Sequence, residues 1–445
     1  MRTVVIGAGE VGFTVARLLS GEGHQVVLIE PDASRVEYAT ERLDALVLQG
    51  NGASPKMLSE AGIDRSDLLI AASRTDEVNI IACLSAKARG VERTVARLHD
   101  PDYYDPNDPE TQELLGIDHV VHTEEMAART IKDSLLVPGA VNIDSFANGK
   151  IGVAEIILER DSPAVGKPLR EVDLPEGSLI VGIVRNGEAL VPGGQTVMEV
   201  RDHVLLISGR ERISGAVAAL STDTAPVRDV VVYGGGRIGL RLAVALEEAR
   251  MNVKVIERDA ERARVVASKL NRGLVLHSDA LSEDFLRQER VDKTDAFVAV
   301  TGDDRANMLA AMYAGRLGAR TTIAGLSSGE FAPLADALGV DMTISPRMLA
   351  AESVLRFIRR GEVVNVALLQ SNAEVIELRV PKRGCRVTGR PLSEVSFPKG
   401  AIVGALLRDD EVLIPSGSDE LLPGDDAVVF TVESAVDEVE SLFAP

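Results

Sequence analysis

The stretch Thr3-Val4-Val5-Ile6-Gly7-Ala8-Gly9-Glu10-Val11-Gly12 decides the fold. A run of β-branched residues breaks into glycines spaced Gly-x-Gly-x-x-Gly and continues into residues 11–20, whose apolar positions recur at helical spacing. Strand, glycine turn and helix in that order open a dinucleotide-binding unit. The first glycine permits the tight turn, and the second lets a pyrophosphate approach the backbone. The third packs helix against strand, and the helix start offers N–H groups and partial positive charge. Alone the glycine pattern is weak, because glycines punctuate many turns. Here Glu30 closes the next apolar run eighteen residues after Gly12. An acid at that place accepts both hydroxyls of an adenosine ribose and repels a 2′-phosphate, so NAD(H) or another adenine nucleotide is favoured over NADP(H).

The constellation occurs twice. Gly234-Gly235-Gly236-Arg237-Ile238-Gly239 lies 227 residues downstream, and Glu257 stands to Gly239 as Glu30 stands to Gly12. Asp76 and Asn79 recur as Asp304 and Asn307 at an offset of 228, and Gly166-Lys167-Pro168-Leu169 recurs as Gly389-Arg390-Pro391-Leu392 at 223. The change in offset falls where the first copy carries the turn-rich segment 100–109. The chain is therefore two copies of one two-part unit.

In each unit the first part alternates short β-branched runs with amphipathic runs, which predicts a parallel, doubly wound sheet. The second part, about 80 residues, has runs at 154–158, 179–184 and 204–207 separated by turn signals such as Leu174-Pro175-Glu176-Gly177, with twin runs at 375–380, 402–407 and 428–431. The expected class is α/β: two tandem Rossmann-like domains, 1–138 and 228–360, each followed by a small α+β domain, 139–222 and 361–445. The polar, proline-closed segment Ser221-Thr222-Asp223-Thr224-Ala225-Pro226 reads as the linker between units.

Composition narrows the function. Among 445 residues, 48 Lys and Arg against 68 Asp and Glu give a net charge of −20 with no basic run, so nucleic acid is not an expected partner. The longest charge-free stretches, 45–55 and 363–373, are eleven residues each, too short to cross a bilayer as a helix. The chain opens on a strand pattern rather than a secretory leader, and its expected place is the cytosol. Cys83 and Cys385, each in an apolar pattern, read as buried structural thiols. His119 and His122 read as partly exposed imidazoles at a strand end rather than as metal ligands. No metal-binding or catalytic residue is expected.

The two candidate sites differ. The first comprises Gly7, Ala8, Gly9, Glu10, Val11, Gly12 and Glu30, with Asn51 placed to reach an adenine edge and Arg97 ending the fifth strand near the phosphates. The second comprises Gly234, Gly236, Arg237, Ile238, Gly239 and Glu257, with Asp279 opposite Asn51 and Gly325 opposite Arg97. Arg237 replaces Glu10, either to face the added phosphates of ATP or as a solvated helix residue. The pairs Asp76 with Asn79 and Asp304 with Asn307 read as helix-start residues. A dehydrogenase needs an acid or base beside the nicotinamide and a domain to hold substrate, and no His, Lys or Tyr stands at a matching place in both copies. The small modules look like sensing or pairing modules. Three readings remain: a nucleotide sensor, an NAD-dependent oxidoreductase, and a nucleotide-free scaffold.

The order nucleotide fold, small module, nucleotide fold, small module resembles the RCK (regulator of potassium conductance) family, and within it the peripheral subunits of Trk potassium uptake systems. The likeness runs through Val4 to Gly12, Gln49-Gly50-Asn51-Gly52-Ala53-Ser54, Thr75-Asp76-Glu77-Val78-Asn79, Val95-Ala96-Arg97 and Ile344-Ser345-Pro346, and it covers essentially the whole chain. It implies RCK N and RCK C domains in alternation. It also implies a homotetramer on the cytosolic face of the membrane, bound to an integral-membrane potassium-conducting subunit of the Trk type and gating it in response to NAD(H), ATP or ADP. By the same resemblance Gly7, Gly9, Gly12, Glu30 and Arg97 contact NAD(H), and Gly234, Gly236, Gly239 and Glu257 map to the second site.

Overall fold

The computed structural model describes residues 1–100, 103, 111, 114–222, 224–327, 331–358, 363–369, 373–382 and 385–444. Apart from 100 and 103, the turn-rich segment 100–109 lies outside the described residues, as does the expected boundary at 360–361.

The first parallel sheet holds β1 (Arg2–Ile6), β2 (Gln25–Glu30), β3 (Leu46–Gln49), β4 (Leu68–Ala71), β5 (Arg93–Arg97) and β6 (His119–Val121) in the order β3-β2-β1-β4-β5-β6. Helices Glu10–Gly21, Ala33–Arg42, Pro55–Glu60 and Asp76–Lys87 connect its strands. Val4, Val5, Leu28, Ile29, Leu69 and Ile70 are buried, because helices cover both faces; the strands therefore read as continuous apolar runs rather than alternating ones. The strand order reverses between β1 and β4, which opens a crevice at their carboxyl ends, directly beside Gly7.

After the first small module, the second copy repeats this sheet with β12 (Asp229–Tyr233), β13 (Asn252–Glu257), β14 (Leu274–His277), β15 (Ala296–Ala299), β16 (Thr321–Gly325) and β17 (Met342–Ile344), ordered β14-β13-β12-β15-β16-β17. Two parallel doubly wound sheets are thus present, as the repeat predicts.

Among the described residues each small module has five strands, against the three expected. The first holds β7 (Asn142–Phe146), β8 (Ile151–Ile157), β9 (Ser178–Arg185), β10 (Glu188–Leu190) and β11 (His203–Gly209), all antiparallel, in the order β10-β9-β11-β8-β7. Its twin holds β18 (Val363–Leu369), β19 (Ala373–Arg379), β20 (Ala401–Arg408), β21 (Glu411–Leu413) and β22 (Asp426–Val432) in the order β18-β19-β22-β20-β21. The missed strands are edges. β7, Asn142-Ile143-Asp144-Ser145-Phe146, has only two apolar residues and no alternation, and β10 is a three-residue return through Asn186 and Gly187, both at positive φ as a tight hairpin requires. The inner faces of the two modules share one core, in which Phe146, Val181, Leu205 and Ile207 meet Val375, Val428 and Phe430. Glycines allow the approach: a Cβ on Gly182 would stand 2.6 Å from the Phe430 ring, and one on Gly404 would stand 2.6 Å from Val181.

The chain divides into two compact units. One is built on Met1–Ala127 and takes in Ser345–Phe357 from the second half; the other holds the second parallel sheet and both small modules. The helix Pro346–Ile358 lies within the expected second Rossmann-like domain, 228–360, yet as far as Phe357 it packs on the first, where Ser353 hydrogen-bonds His119 Nε2 at 2.8 Å and Phe357 stacks on the same imidazole. Cys83 is buried as expected, and burial pushes its thiol pKa up. Cys385 corrects the sequence reading: it is only half-buried, its thiol donating to the Leu442 carbonyl.

Candidate nucleotide sites

Each glycine loop is shaped by its own steric demands. Gly7 and Gly234 adopt φ of 92° and 105°, a region that L side chains rarely enter. A Cβ on Gly12 would lie 1.9 Å from the Gly7 carbonyl oxygen, and one on Gly239 would lie 1.8 Å from that of Gly234, so the third glycine is where helix and turn touch. The middle glycine is different. A Cβ on Gly9 or Gly236 would meet nothing closer than an arginine Nη1, of Arg35 at 3.8 Å or of Arg262 at 3.7 Å. Space is therefore left over the backbone at the one position where a pyrophosphate would approach, and the residues fit a dinucleotide's phosphates. The first ladder bonds run from Phe13 N to Gly9 O and from Leu240 N to Gly236 O, so the helical ladder leaves the N–H groups of the preceding three residues unused. Val11 is buried and Ile238 half-buried, so these two can serve a ligand only through those N–H groups; Glu10 and Arg237 are exposed.

The acids are 4% and 7% exposed. Glu30 accepts from Ala8 N at 2.6 Å and from Asp32 N at 3.0 Å; Glu257 accepts from Gly235 N at 2.7 Å and from Asp259 N at 2.8 Å. Each carboxylate ties the glycine loop to the start of the next helix. A carboxylate offers about four acceptor positions, so two remain on each for ribose hydroxyls. Over the second loop lies a cleft of about 450 Å³, lined by Gly234, Gly236, Glu257, Arg258, Arg262 and Asp303 among others, within the range of about 300–1,000 Å³ common for small-molecule sites.

Asp76 and Asp304 open their helices as expected, Asp76–Lys87 and Asp304–Leu317, but the asparagines three residues on do more than start a helix. Asn79, fully buried, accepts from Ser73 N at 2.9 Å and donates to the carbonyls of Ser73 at 3.2 Å and Arg97 at 2.8 Å. Asn307 does the same with Thr301 N, Thr301 O and Gly325 O, and also accepts from Thr301 Oγ1. These amides clamp the carboxyl ends of neighbouring strands instead of capping a helix. Asp76 accepts from His99 N and Asp100 N. In the second copy the cap is Asp303, which accepts from Arg305 N and Ala306 N.

The side chains expected to distinguish the sites are placed as follows. Asn51 is exposed, and its Oδ1 accepts from Ala53 N. Asp279 accepts from Leu281 N and from the Tyr233 hydroxyl at 2.9 Å, while burial and then that bond push the tyrosine pKa up. Arg97 sits at the end of β5, its Nε donating to Thr123 Oγ1 at 3.2 Å and its Nη2 3.9 Å from Glu124 Oε1. Glu124 also meets His99 Nδ1 at 2.8 Å. Burial works to raise the Glu124 pKa, but the His99 hydrogen bond and charge, with Arg97, outweigh it and hold the carboxyl below its ordinary value. Sequence reading missed Arg35 and Arg262, which share the 227 offset of the glycine loops, and Arg258, whose counterpart is Pro31. The repeated offset was the signal that could have found the first two. Among the described residues, no group of three His, Cys, Asp or Glu could hold a metal ion, and no helix is long and apolar enough to cross a membrane.

Comparison with known proteins agrees with the repeat. The TrkA-N domain family matches residues 3–123 and 230–346, and the TrkA-C domain family matches 153–220 and 375–444. The chain is 33% identical to Trk system potassium uptake protein TrkA homolog 1 of Methanosarcina mazei, over all of both chains. It is also 33% identical to Trk system potassium uptake protein TrkA of Azorhizobium caulinodans, over all of this chain and 98% of that one. Among solved structures it is similar to the RCK domain of GsuK, with a TM-score of 0.65 at 19% identity over 99% of this chain and 94% of that one. It is likewise similar to the GsuK channel bound to NAD, with a TM-score of 0.64 at 18% identity over 99% and 78%.

Proposed function

The chain belongs to the TrkA family, and on that footing we propose that it is the nucleotide-sensing regulatory subunit of a potassium uptake system. The observation that carries this reading is the doubled glycine loop. Both copies keep the left-handed first glycine, the tightly packed third and the buried acid, and both leave the backbone open at the middle glycine. The end-to-end match to proteins named for Trk potassium uptake supplies the system, and a structural neighbour solved with NAD supports the ligand class.

In this reading NAD(H) occupies the first site, and NAD(H), ATP or ADP occupies the second. The glycine-loop N–H groups hold phosphate, the buried acids hold ribose, and Arg97 adds a cation at the first site only. A nucleotide bound more tightly by one conformation than by another shifts the equilibrium between them by its differential affinity, and a Trk-type membrane subunit reads the result. No bond need be made or broken. The assembly is a homotetramer on the cytoplasmic face of the membrane, and the four domains are 1–138, 139–222, 228–360 and 361–445.

The test is potassium flux through the membrane subunit reconstituted in vesicles, with and without this chain and with NADH, NAD or ATP. The reading expects flux to depend on both chain and nucleotide. Nucleotide-independent flux contradicts it, and steady consumption of NADH by the chain with an added substrate would favour an oxidoreductase.

A further inference from the structure

We infer that Glu124 is a built-in competitor of nucleotide phosphate for Arg97, which couples occupancy of the first site to the opening turn of the helix Thr123–Leu136. The inference rests on the reading of the first loop as a nucleotide site.

Gly7, Ser73 and Arg97 follow or end three adjacent strands, β1, β4 and β5, on one edge of the sheet. Asn79 bonds the backbone of Ser73 and of Arg97 together, so the carbonyl of Arg97 is fixed relative to the glycine loop. Its side chain is held elsewhere. Its Nε donates to Thr123 Oγ1 at 3.2 Å and its Nη2 lies 3.9 Å from Glu124 Oε1, an ion pair at the first two residues of the helix. The side chains of Arg97, Glu124 and His99 are only 19%, 13% and 9% exposed, so their charges are poorly screened and choice of partner matters.

His99 makes the exchange feasible. Were Arg97 to turn to a phosphate, Glu124 would keep the His99 bond at 2.8 Å and would not be left as an unpaired buried charge. His99 is itself fixed by its backbone N–H on Asp76, so it does not follow Arg97. A phosphate at the glycine loop would therefore compete with the carboxylate at the helix start for the guanidinium. The later turns of that helix, from Ala128, belong to the other compact unit. The second copy lacks the device at the level of sequence, because Gly325 replaces Arg97 and Arg347 holds the register of Glu124.

The test uses the full chain with Glu257→Ala to silence the second site, titrated calorimetrically with ADP, NADH and adenosine. Glu124→Gln removes the competing charge without changing shape, and should tighten ADP and NADH by about fivefold, at the lower end of typical coupling between sites, while leaving adenosine unchanged. His99→Gln has the opposite sign: it leaves Glu124 to hold Arg97 alone and should weaken ADP. Hydrogen exchange at 123–127 should rise when ADP binds, and should be high in Glu124→Gln from the start. Unchanged or weaker ADP binding in Glu124→Gln, with the parent chain binding normally, overturns the inference alone. A parent chain that binds neither ADP nor NADH overturns the nucleotide reading and this inference with it.

Discussion

The two nucleotide folds share a backbone and differ in charge. Both need a glycine at positive φ, a glycine crushed between helix and turn, a buried acid tying loop to helix and a buried asparagine clamping strand ends. These features follow from closing a tight turn against a parallel sheet, and the duplication repeats them at fixed offsets. Of the groups that would face a ligand, the acids and the pair Arg35 and Arg262 repeat, and others do not. The first fold has Glu10, Pro31 and Arg97 where the second has Arg237, Arg258 and Gly325. Steric and hydrogen-bond demands thus fix the scaffold twice over, while the cations around it are free to diverge. Two sites of one architecture can then serve different nucleotides.

The largest expected effect tests the shared half of this comparison. Asn79→Leu and Asn307→Leu each take the partner from three backbone groups, part-buried except for the buried Gly325 carbonyl, and at the low end of about 1–3 kcal/mol per unsatisfied group each should cost about 3 kcal/mol in denaturant unfolding. Asn307 should cost more, because it also serves Thr301 Oγ1. A clamp that proved dispensable in one copy would mean the two folds are not mechanically alike.

Next come the glycines. Gly12→Ala and Gly239→Ala should each lose about 1–3 kcal/mol from overpacking, together with nucleotide binding in their own copy. Gly9→Ala should leave stability within about 0.5 kcal/mol yet still weaken binding, because its added methyl enters only the open space over the loop. Melting and titration of the three variants separate packing from ligand approach.

Arg97→Ala sharpens the divergent half. Removing one charge-assisted contact should weaken phosphate-bearing nucleotides at the first site by about tenfold and leave the second site untouched. Titration in Glu30→Ala and Glu257→Ala backgrounds reads each site alone. Equal weakening at both would erase the proposed asymmetry.

The smallest effect lies in the small modules. Across β8 and β11 the pair is His203 with Glu155 at 2.7 Å, whereas across β19 and β22 it is Arg379 with Asp426, its second contact 2.8 Å. The Glu155 hydrogen bond raises the His203 pKa against the opposing effect of burial, with the charges of Glu155, Asp336 and Asp202 adding to the rise. A raised folded-state pKa contributes stability that is fully present below the unfolded value of about 6.5 and is lost as pH rises through the folded value. The melting difference between the parent and His203→Gln should therefore shrink as pH climbs from about 6 through that window. The corresponding difference for Arg379→Gln should hold over the same range, since the guanidinium stays charged.

Most of the architecture was legible because it rests on repetition and on local demands that glycine, acid and apolar periodicity advertise. What escaped depends on partners far along the chain. Asn79 does stand in the opening turn of its helix, but its clamp was hidden because the carbonyl of Arg97, which it bonds, is eighteen positions away. The edge strand β7 carries only Ile143 and Phe146 as large apolar residues and does not stand out, and its place is set by pairing with β8. Nothing in Pro346–Ile358 announces that it packs on the other half, since an apolar helix face does not name the surface it will cover. Cys385 stands among Lys382, Arg383 and Arg386, charged neighbours that agree with its half-exposed place and that the reading of it as buried overlooked.

The central claim is that the duplicated loops are two separate nucleotide sites. Calorimetric titration of the purified chain with NADH, NAD and ATP, without substrate, repeated on Glu30→Ala and Glu257→Ala, tests it most directly. The account predicts two binding events, each lost in one variant and kept in the other. Binding that survives both substitutions unchanged, or no binding in any sample, would contradict it.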